Sequence, residues 1–418
     1  MKQALKEALR PYVKPYQRSF RKLKKQSKSL MLLPLRALPM SSEKLGPPKG
    51  LYFTLEEWAN SLKDSAAGEY TIVAESEPLI RKKPHTIEDK VHWIIEKEYR
   101  KDSPDASVSF LRNGRVWVTH NNMGHVNSTA HITEDDYVVI PISDEFNPNP
   151  REHSIFSQFK LPNLHHIQGR AISLVTMKGE QFYHWIYDLL PKLASLERAG
   201  ISLEEADAII INSTKSRFMK DTLAALGIPE EKLVDTQTYQ HLKADELIVP
   251  STPAGVGNPT RWICEYLREK FIPMKADLPA DTSEKVYISR ANAPARKVLN
   301  EDAILKVAEK YGFKKYTLEK MTYLEQVALF NQAKVILTPH GAGLSGLVYC
   351  EPGTQVLEFY HPQYVNACFY ALCNTMEIDY SYFIGKGKAP KEGVDLAMNM
   401  ADITVDTDKL EKAIKAIL

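Results

Sequence analysis

The sequence is poor in cysteine: four in 418 residues, at positions 264, 350, 368 and 373, with no C-x-x-C spacing. That excludes a disulfide-stapled framework and points to a reducing, cytoplasmic compartment. Long apolar runs are missing as well. The longest near the start, Leu30 to Leu35, contains Pro34 and runs into Arg36. A membrane span needs about 20 apolar residues, so none is expected, and no small-residue cleavage pattern marks a signal peptide. The Asn-x-Ser/Thr sequons at Asn127 and Asn212 then read as chance matches. There is no surplus of one charge: 54 basic residues stand against 52 acidic, a net +2. A nucleic-acid partner is not expected from such a balance. Metal motifs are missing too. Asp406-Thr407-Asp408 is an isolated Asp-x-Asp triplet where an Asp would cap the last helix. His165-His166 and His120…His125 lack the i, i+4 spacing of helical metal ligands. The expectation is chemistry with no metal and no cofactor.

What is present suffices for two cores. The composition is 44% hydrophobic and 25% charged, and at roughly 100–200 residues per domain the length predicts two domains with an appendage. The appendage is residues 1–50. Its first 28 residues hold ten Lys or Arg against Glu7 alone. This stretch reads as a solvated tail. A second reading rests its basic and aromatic side chains on anionic lipid, a peripheral position at the inner face of a membrane.

The first domain is drawn at 51–252 and the second at 253–400, joined through the Pro- and Gly-rich Ser251–Pro259, with a final helix in 401–418. In the first, Val116–Val118 and Tyr137–Ile140 read as strands. Phe182–Arg198 has the three- and four-residue apolar steps of a helix, kinked or split by Pro191. In the second, strands at 286–289, 313–316, 335–338, 356–359 and 378–383 alternate with helices at 300–311, 322–333, 344–349 and 364–376. Asn300 is placed to cap one helix, and Thr322 and Glu325 to form a capping box on the next. Strand–helix alternation predicts a parallel sheet covered on both faces.

The most informative segment is Thr338-Pro-His-Gly-Ala-Gly-Leu344, between a strand and a helix. That is the carboxyl edge of a parallel sheet, where ligands bind. Gly341 and Gly343 allow close backbone approach, with Ala342 and Leu344 opening the helix whose free N–H groups suit a diphosphate. His340 stands at the end of the strand before them. Glu358 interrupts the next apolar strand. A carboxylate there must be paired or bind something, and ribose hydroxyls are a fitting partner, with a structural ion pair as the alternative.

These segments together resemble glycosyltransferase family 61. The resemblance rests on Tyr183-His-Trp185…Asp188-Leu-Leu-Pro191, Tyr287-Ile-Ser-Arg290, Arg296, Leu299-Asn-Glu301, Pro339–Leu344, and Pro352-Gly-Thr354…Leu357-Glu358, over about residues 110–385. It implies an α/β GT-B fold of two Rossmann-like domains facing across a cleft. It also implies an inverting transfer from a UDP-sugar without a metal. The bacterial branch of the family is commonly labelled capsular polysaccharide biosynthesis protein, which implies a glycan or glycolipid acceptor.

A departing diphosphate needs positive charge. Arg290 closes a strand at the same sheet edge, with Arg296 and Lys297 in the loop after it, and guanidinium groups suit phosphate. An inverting transfer also needs a base. His184 and Asp188 stand four apart on one helix face, so Asp188 orients the imidazole or is itself the base; His125 is a weaker candidate. A non-catalytic sugar- or nucleotide-binding scaffold would carry the same loop, and an epimerase would need a second acid–base pair around one sugar. Turnover of a UDP-sugar separates these readings.

Overall fold

The computed structural model describes residues 46–62, 68–147, 149–395 and 401–418. The basic segment 1–28 and most of the 1–50 extension lie outside the described residues. The described chain is a mixed α/β structure built on two large sheets.

The first sheet has ten strands. His165–Ser173, Ala208–Ile211, His241–Pro250 and Leu233–Asp235 run parallel. Ala106–Arg112 and Arg115–His120 join His241–Pro250 antiparallel, and Gly68–Ala74 and Val126–Ile132 extend that flank. The flank is the turn-rich stretch in which Val116–Val118 reads as a strand.

The second sheet has six strands, all parallel. Across it lie Lys314–Tyr316, Lys285–Ile288, Val335–Pro339, Gln355–Tyr360, Asp379–Ile384 and His85–Thr86. The first five have the doubly wound order 2-1-3-4-5. Its switch point, where successive crossovers part to opposite faces and leave a crevice, lies between Lys285–Ile288 and Val335–Pro339. The sixth strand comes from the first half of the chain. His85 and Thr86 pair with Ser381 and Tyr382, and two residues are too few to show a strand period in the sequence.

Alternation sorts the strand residues onto two faces. Tyr287, Leu337, Leu357 and Phe359 pack under the helices Glu301–Lys310 and Thr407–Ile417. Val286, Ile288, Ile336, Val356, Tyr360 and Tyr380 face the other way. They share one continuous core with Ile172, Leu174, Ile209 and Ile248 of the first sheet, through the helices Arg261–Phe271 and Cys368–Thr375. The connecting Ser251–Pro259 is tied down on both sides: Arg81 Nη2 donates to Asn258 Oδ1 at 2.7 Å, and Thr375 Oγ1 to the Pro259 carbonyl at 3.0 Å.

Most predicted elements appear within a few residues of their expected ends. The Thr322–Glu325 capping box is present. Asn300 occupies its N-cap position but does not cap. Its side chain holds the Val405 backbone instead, through Nδ2 to O at 2.8 Å and Oδ1 from N at 3.0 Å. The 182–198 helix is split, as Pro191 predicts, but through a π turn at Trp185–Leu189. Pro191 has no N–H and its ring crowds the Tyr187 carbonyl. The ladder therefore widens, and Leu190 N–H reaches five residues back to the Trp185 carbonyl at 2.9 Å.

Candidate functional site

The switch-point crevice collects the basic residues. Arg290 follows the Lys285–Ile288 strand, and its Nη2 donates to the Ala295 carbonyl at 2.9 Å. The guanidinium lies flat against Gly341, so close that a β-carbon at 341 would collide with it. An alanine there would force the guanidinium to shift. Arg296 sits at φ +56° with its guanidinium 5.1 Å over the Tyr364 ring. The Nε atoms of Arg290 and Arg296 are both buried without a hydrogen-bond partner. Burial first, then the repulsion of Arg296, lowers the Arg290 pKa to about 10. Lys297 is exposed, and its backbone pairs with 402 and 403, N–H to Asp402 Oδ1 at 2.9 Å and carbonyl from Ile403 at 2.7 Å.

The loop after Val335–Pro339 runs into a 3₁₀ helix at Ala342–Tyr349, tighter than the α-helix its sequence suggests. Both of its small residues are closely packed. Gly343 lies under Leu318 and Gly346 under the Phe330 ring, and Leu344 N–H closes the first turn onto the Gly341 carbonyl at 3.0 Å. Ala342 opens this turn and Leu344 is buried beneath it.

His340 and Glu358 meet across adjacent strand ends, Nδ1 to Oε1 at 2.5 Å. Glu358 is fully buried, and its other oxygen accepts from Tyr360 at 2.7 Å and Tyr380 at 2.6 Å. The period-2 pattern puts Glu358, Tyr360 and Tyr380 on the inner face. The carboxylate thus has three protein partners, the structural alternative raised for it from sequence. It reaches the crevice through the imidazole it holds. Burial lowers the His340 pKa despite Glu358, and Arg296 and Arg290 lower it further.

The second His–carboxylate pair lies on the split helix. His184 Nδ1 is 2.6 Å from Asp188 Oδ2, with side chains 12% and 5% exposed. The π turn buries Asp188 together with Trp185, whose Nε1 donates to Thr222 Oγ1 at 2.9 Å, and Tyr187, whose hydroxyl reaches the Ser345 carbonyl at 2.7 Å. That last bond ties this helix to the 3₁₀ helix after His340. Burial raises the Asp188 pKa, and the His184 bond opposes the rise. His125 stands nearby, its Nδ1 3.2 Å from Gln181 Nε2.

Two features, the burial of Lys192 and the Tyr360–Tyr380 brace, escape sequence inspection, whereas the Asp406 cap was expected from it. Lys192 is fully buried one turn beyond Asp188 and donates from Nζ to the Val175 carbonyl at 2.7 Å. Its i, i+4 spacing from Asp188 is visible in the sequence, but a lysine in an amphipathic helix is expected to reach water. Tyr360 and Tyr380 belong to the apolar pattern of their strands, and only the fold shows their hydroxyls turned onto Glu358. Asp406 Oδ1 caps the last helix, accepting from Asp408 and Lys409 N–H at 3.0 and 3.1 Å, while its other oxygen faces Lys386 at 3.1 Å. Among the described residues, no group of three or more His, Cys, Asp or Glu is placed to hold a metal ion.

Residues 182–357 match the family model of glycosyltransferase 61. The chain thus carries a segment similar to glycosyltransferase family 61 and is a glycosyltransferase. The matched span begins at the first residue of the His184 helix and ends one residue before Glu358, so it takes in both histidines and both arginines. A search of curated proteins finds no match. As a glycosyltransferase, the protein acts on a sugar donor and an acceptor.

Proposed function

We propose that this transferase moves a sugar from a nucleoside-diphosphate donor, UDP-sugar first among them, to a glycan or glycolipid acceptor in surface or capsular polysaccharide synthesis. The transfer inverts the anomeric centre and uses no metal, in a GT-B arrangement of the two halves. The observation that carries this is the pair of buried, unpartnered Arg290 and Arg296 Nε donors at the switch point. Two guanidiniums whose Nε atoms are buried, with no ion-paired carboxylate among the described residues, are costly unless an anion completes them.

In this reading the diphosphate lies along Arg290, Arg296 and the Gly341 loop, and the cations stabilise the charge that grows as the C1–O bond breaks. The acceptor hydroxyl attacks from the opposite face and gives its proton to His184 Nε2. Asp188 holds Nδ1 and stabilises the imidazolium. Charge neutralisation by arginine takes the place a metal would fill. The cytoplasm, with the basic 1–28 segment on an anionic membrane face, is the location that the four unpaired cysteines fit.

Incubating the protein with UDP-sugars and a glycan acceptor in EDTA tests the reading. Product of inverted configuration at undiminished rate is expected. A rate abolished by EDTA and restored by Mn²⁺, or a retained configuration, would overturn it.

A further inference from the structure

His340 is buried with its two ring nitrogens in unlike surroundings. Nδ1 lies 2.5 Å from Glu358 Oε1. A carboxylate only accepts, so Nδ1 carries a proton in either charge state of the ring. When the ring is neutral, Nε2 is therefore a bare lone pair, and no protein group among the described residues bonds it.

The groups around the ring are few. Among the described residues Glu358 is the one carboxylate at the ring, braced by Tyr360 and Tyr380. Two cations oppose it: Arg290, packed on the next residue Gly341, and Arg296, over the Tyr364 ring that meets His340 edge-on at 5.3 Å. Tyr360 stacks on the imidazole at 5.2 Å, and Phe369 closes it at 5.5 Å. The Cys368 thiol beside Phe369 is kept neutral by burial. Burial and the two arginines therefore favour the neutral ring over the imidazolium. A phosphate oxygen arriving there would meet lone pair against lone pair. It would also neutralise the two arginines, removing the repulsion that keeps the ring uncharged. Protonated, the same nitrogen becomes a charge-assisted donor.

We propose that diphosphate binding is coupled to uptake of one proton from solvent onto His340 Nε2, so that the donor is gripped by an imidazolium braced by Glu358, Tyr360 and Tyr380. The proton returns to solvent when the nucleoside diphosphate leaves, so none is consumed over a turnover. This rests on the diphosphate reading of the arginine crevice and adds to it a linkage with a definite sign. Affinity falls as pH rises above neutrality, by at most tenfold per unit for one proton.

Calorimetry on the full chain at pH 7.5 tests it. UDP is titrated in two buffers of low and high ionisation enthalpy, and inorganic pyrophosphate is titrated likewise so that the identity of the base does not decide the result. The expected result is a binding heat that differs between buffers in the direction of uptake, approaching one proton per ligand. In a folded His340→Gln variant the ligand should bind more weakly, with heats independent of buffer. Wild-type heats equal in both buffers, or uptake that persists in His340→Gln, would overturn the linkage and leave the diphosphate site standing. No binding of either ligand would overturn the diphosphate site itself and the linkage with it.

Discussion

His184 and His340 hold their carboxylates through the same atom: Nδ1 is 2.6 Å from Asp188 in one and 2.5 Å from Glu358 in the other. Both rings therefore keep Nε2 for a ligand. A short chain of aromatic contacts joins them. Tyr183 is 5.6 Å from His184 and 5.7 Å from Phe369, and Phe369 is 5.5 Å from His340. Their electrostatic settings differ. His340 has two guanidiniums near it, whereas the Asp188 carboxylate beside His184 is influenced by the charges of Asp144 and Lys192. In the proposed mechanism one pair receives an anion and the other a proton.

Gly341→Ala should disable the anion site without touching a charged residue. The added β-carbon would occupy the space of the Arg290 guanidinium. Losing one charged hydrogen bond costs about 1.5–3 kcal/mol, so UDP affinity should drop roughly tenfold or more. Calorimetry on the variant, with circular dichroism to confirm the fold, checks this. Wild-type affinity would place the phosphates away from Arg290.

Lys192→Met should separate stability from activity. Burial lowers the Lys192 pKa to about 8 and outweighs the attraction of Asp144 and Asp188. The unfolded chain thus holds this proton more tightly, and the buried ammonium costs stability at neutral pH that is regained as pH rises through about 8 to 10. Methionine removes the cost, so urea stability at pH 7 should be unchanged or higher by about 1–3 kcal/mol. Asp188 meanwhile loses a positive neighbour, and the ascending limb of the pH–rate profile should move to higher pH by up to about one unit. A large loss of stability with an unmoved limb would make Lys192 purely structural.

Much of the second half was legible in the sequence because its strands and helices are short, regular and bounded by Gly, Pro and capping residues. The Thr322–Glu325 box and the strand at 335–339 are cases where local chemistry and tertiary fold agree. The His85–Thr86 strand was not legible, since its place is set by Ser381 and Tyr382, about 300 residues later. At the site, the His184–Asp188 spacing predicted a contact that the structure contains. Glu358 stood out as a charge in an apolar strand, but what it touches depends on two neighbouring strands. The burial of Lys192 was hidden for the same reason: amphipathic spacing indicates a helix face, not how deeply the fold buries it.

Acid should destabilise the protein before its ordinary carboxylates titrate. Burial lowers the pKa of His131 to about 3 and of His241 to about 4. Both are neutral in the fold, and the unfolded chain takes up their protons below about 6.5. The associated stability is complete above that pH and is lost as pH falls toward the folded values, about 2 kcal/mol each at pH 5. Urea midpoints at pH 7.5 and 5 measure the loss. A His241→Gln variant should lose correspondingly less between the two pH values, and an identical loss would assign the acid sensitivity to other groups.

The base assignment is tested on the split helix. If His184 takes the acceptor proton, His184→Ala should lower turnover by about 10²–10⁴-fold, the usual loss for a general base. UDP binding should persist, because the arginines, Gly341 and His340 are untouched. Asp188→Asn separates two roles. An amide keeps a hydrogen bond to Nδ1 but cannot stabilise the imidazolium, so an orienting Asp188 should cost less than the loss of His184, and a basic Asp188 as much or more. Burial makes the second role physically reasonable, since it raises the Asp188 pKa, but the carboxylate oxygen 2.6 Å from Nδ1 is already engaged and the side chain is 5% exposed against 12% for His184. The more accessible group, with a free nitrogen, is the better placed acceptor. Full turnover in both variants would move the base off this helix, and His125, beside Gln181, is the next position to substitute.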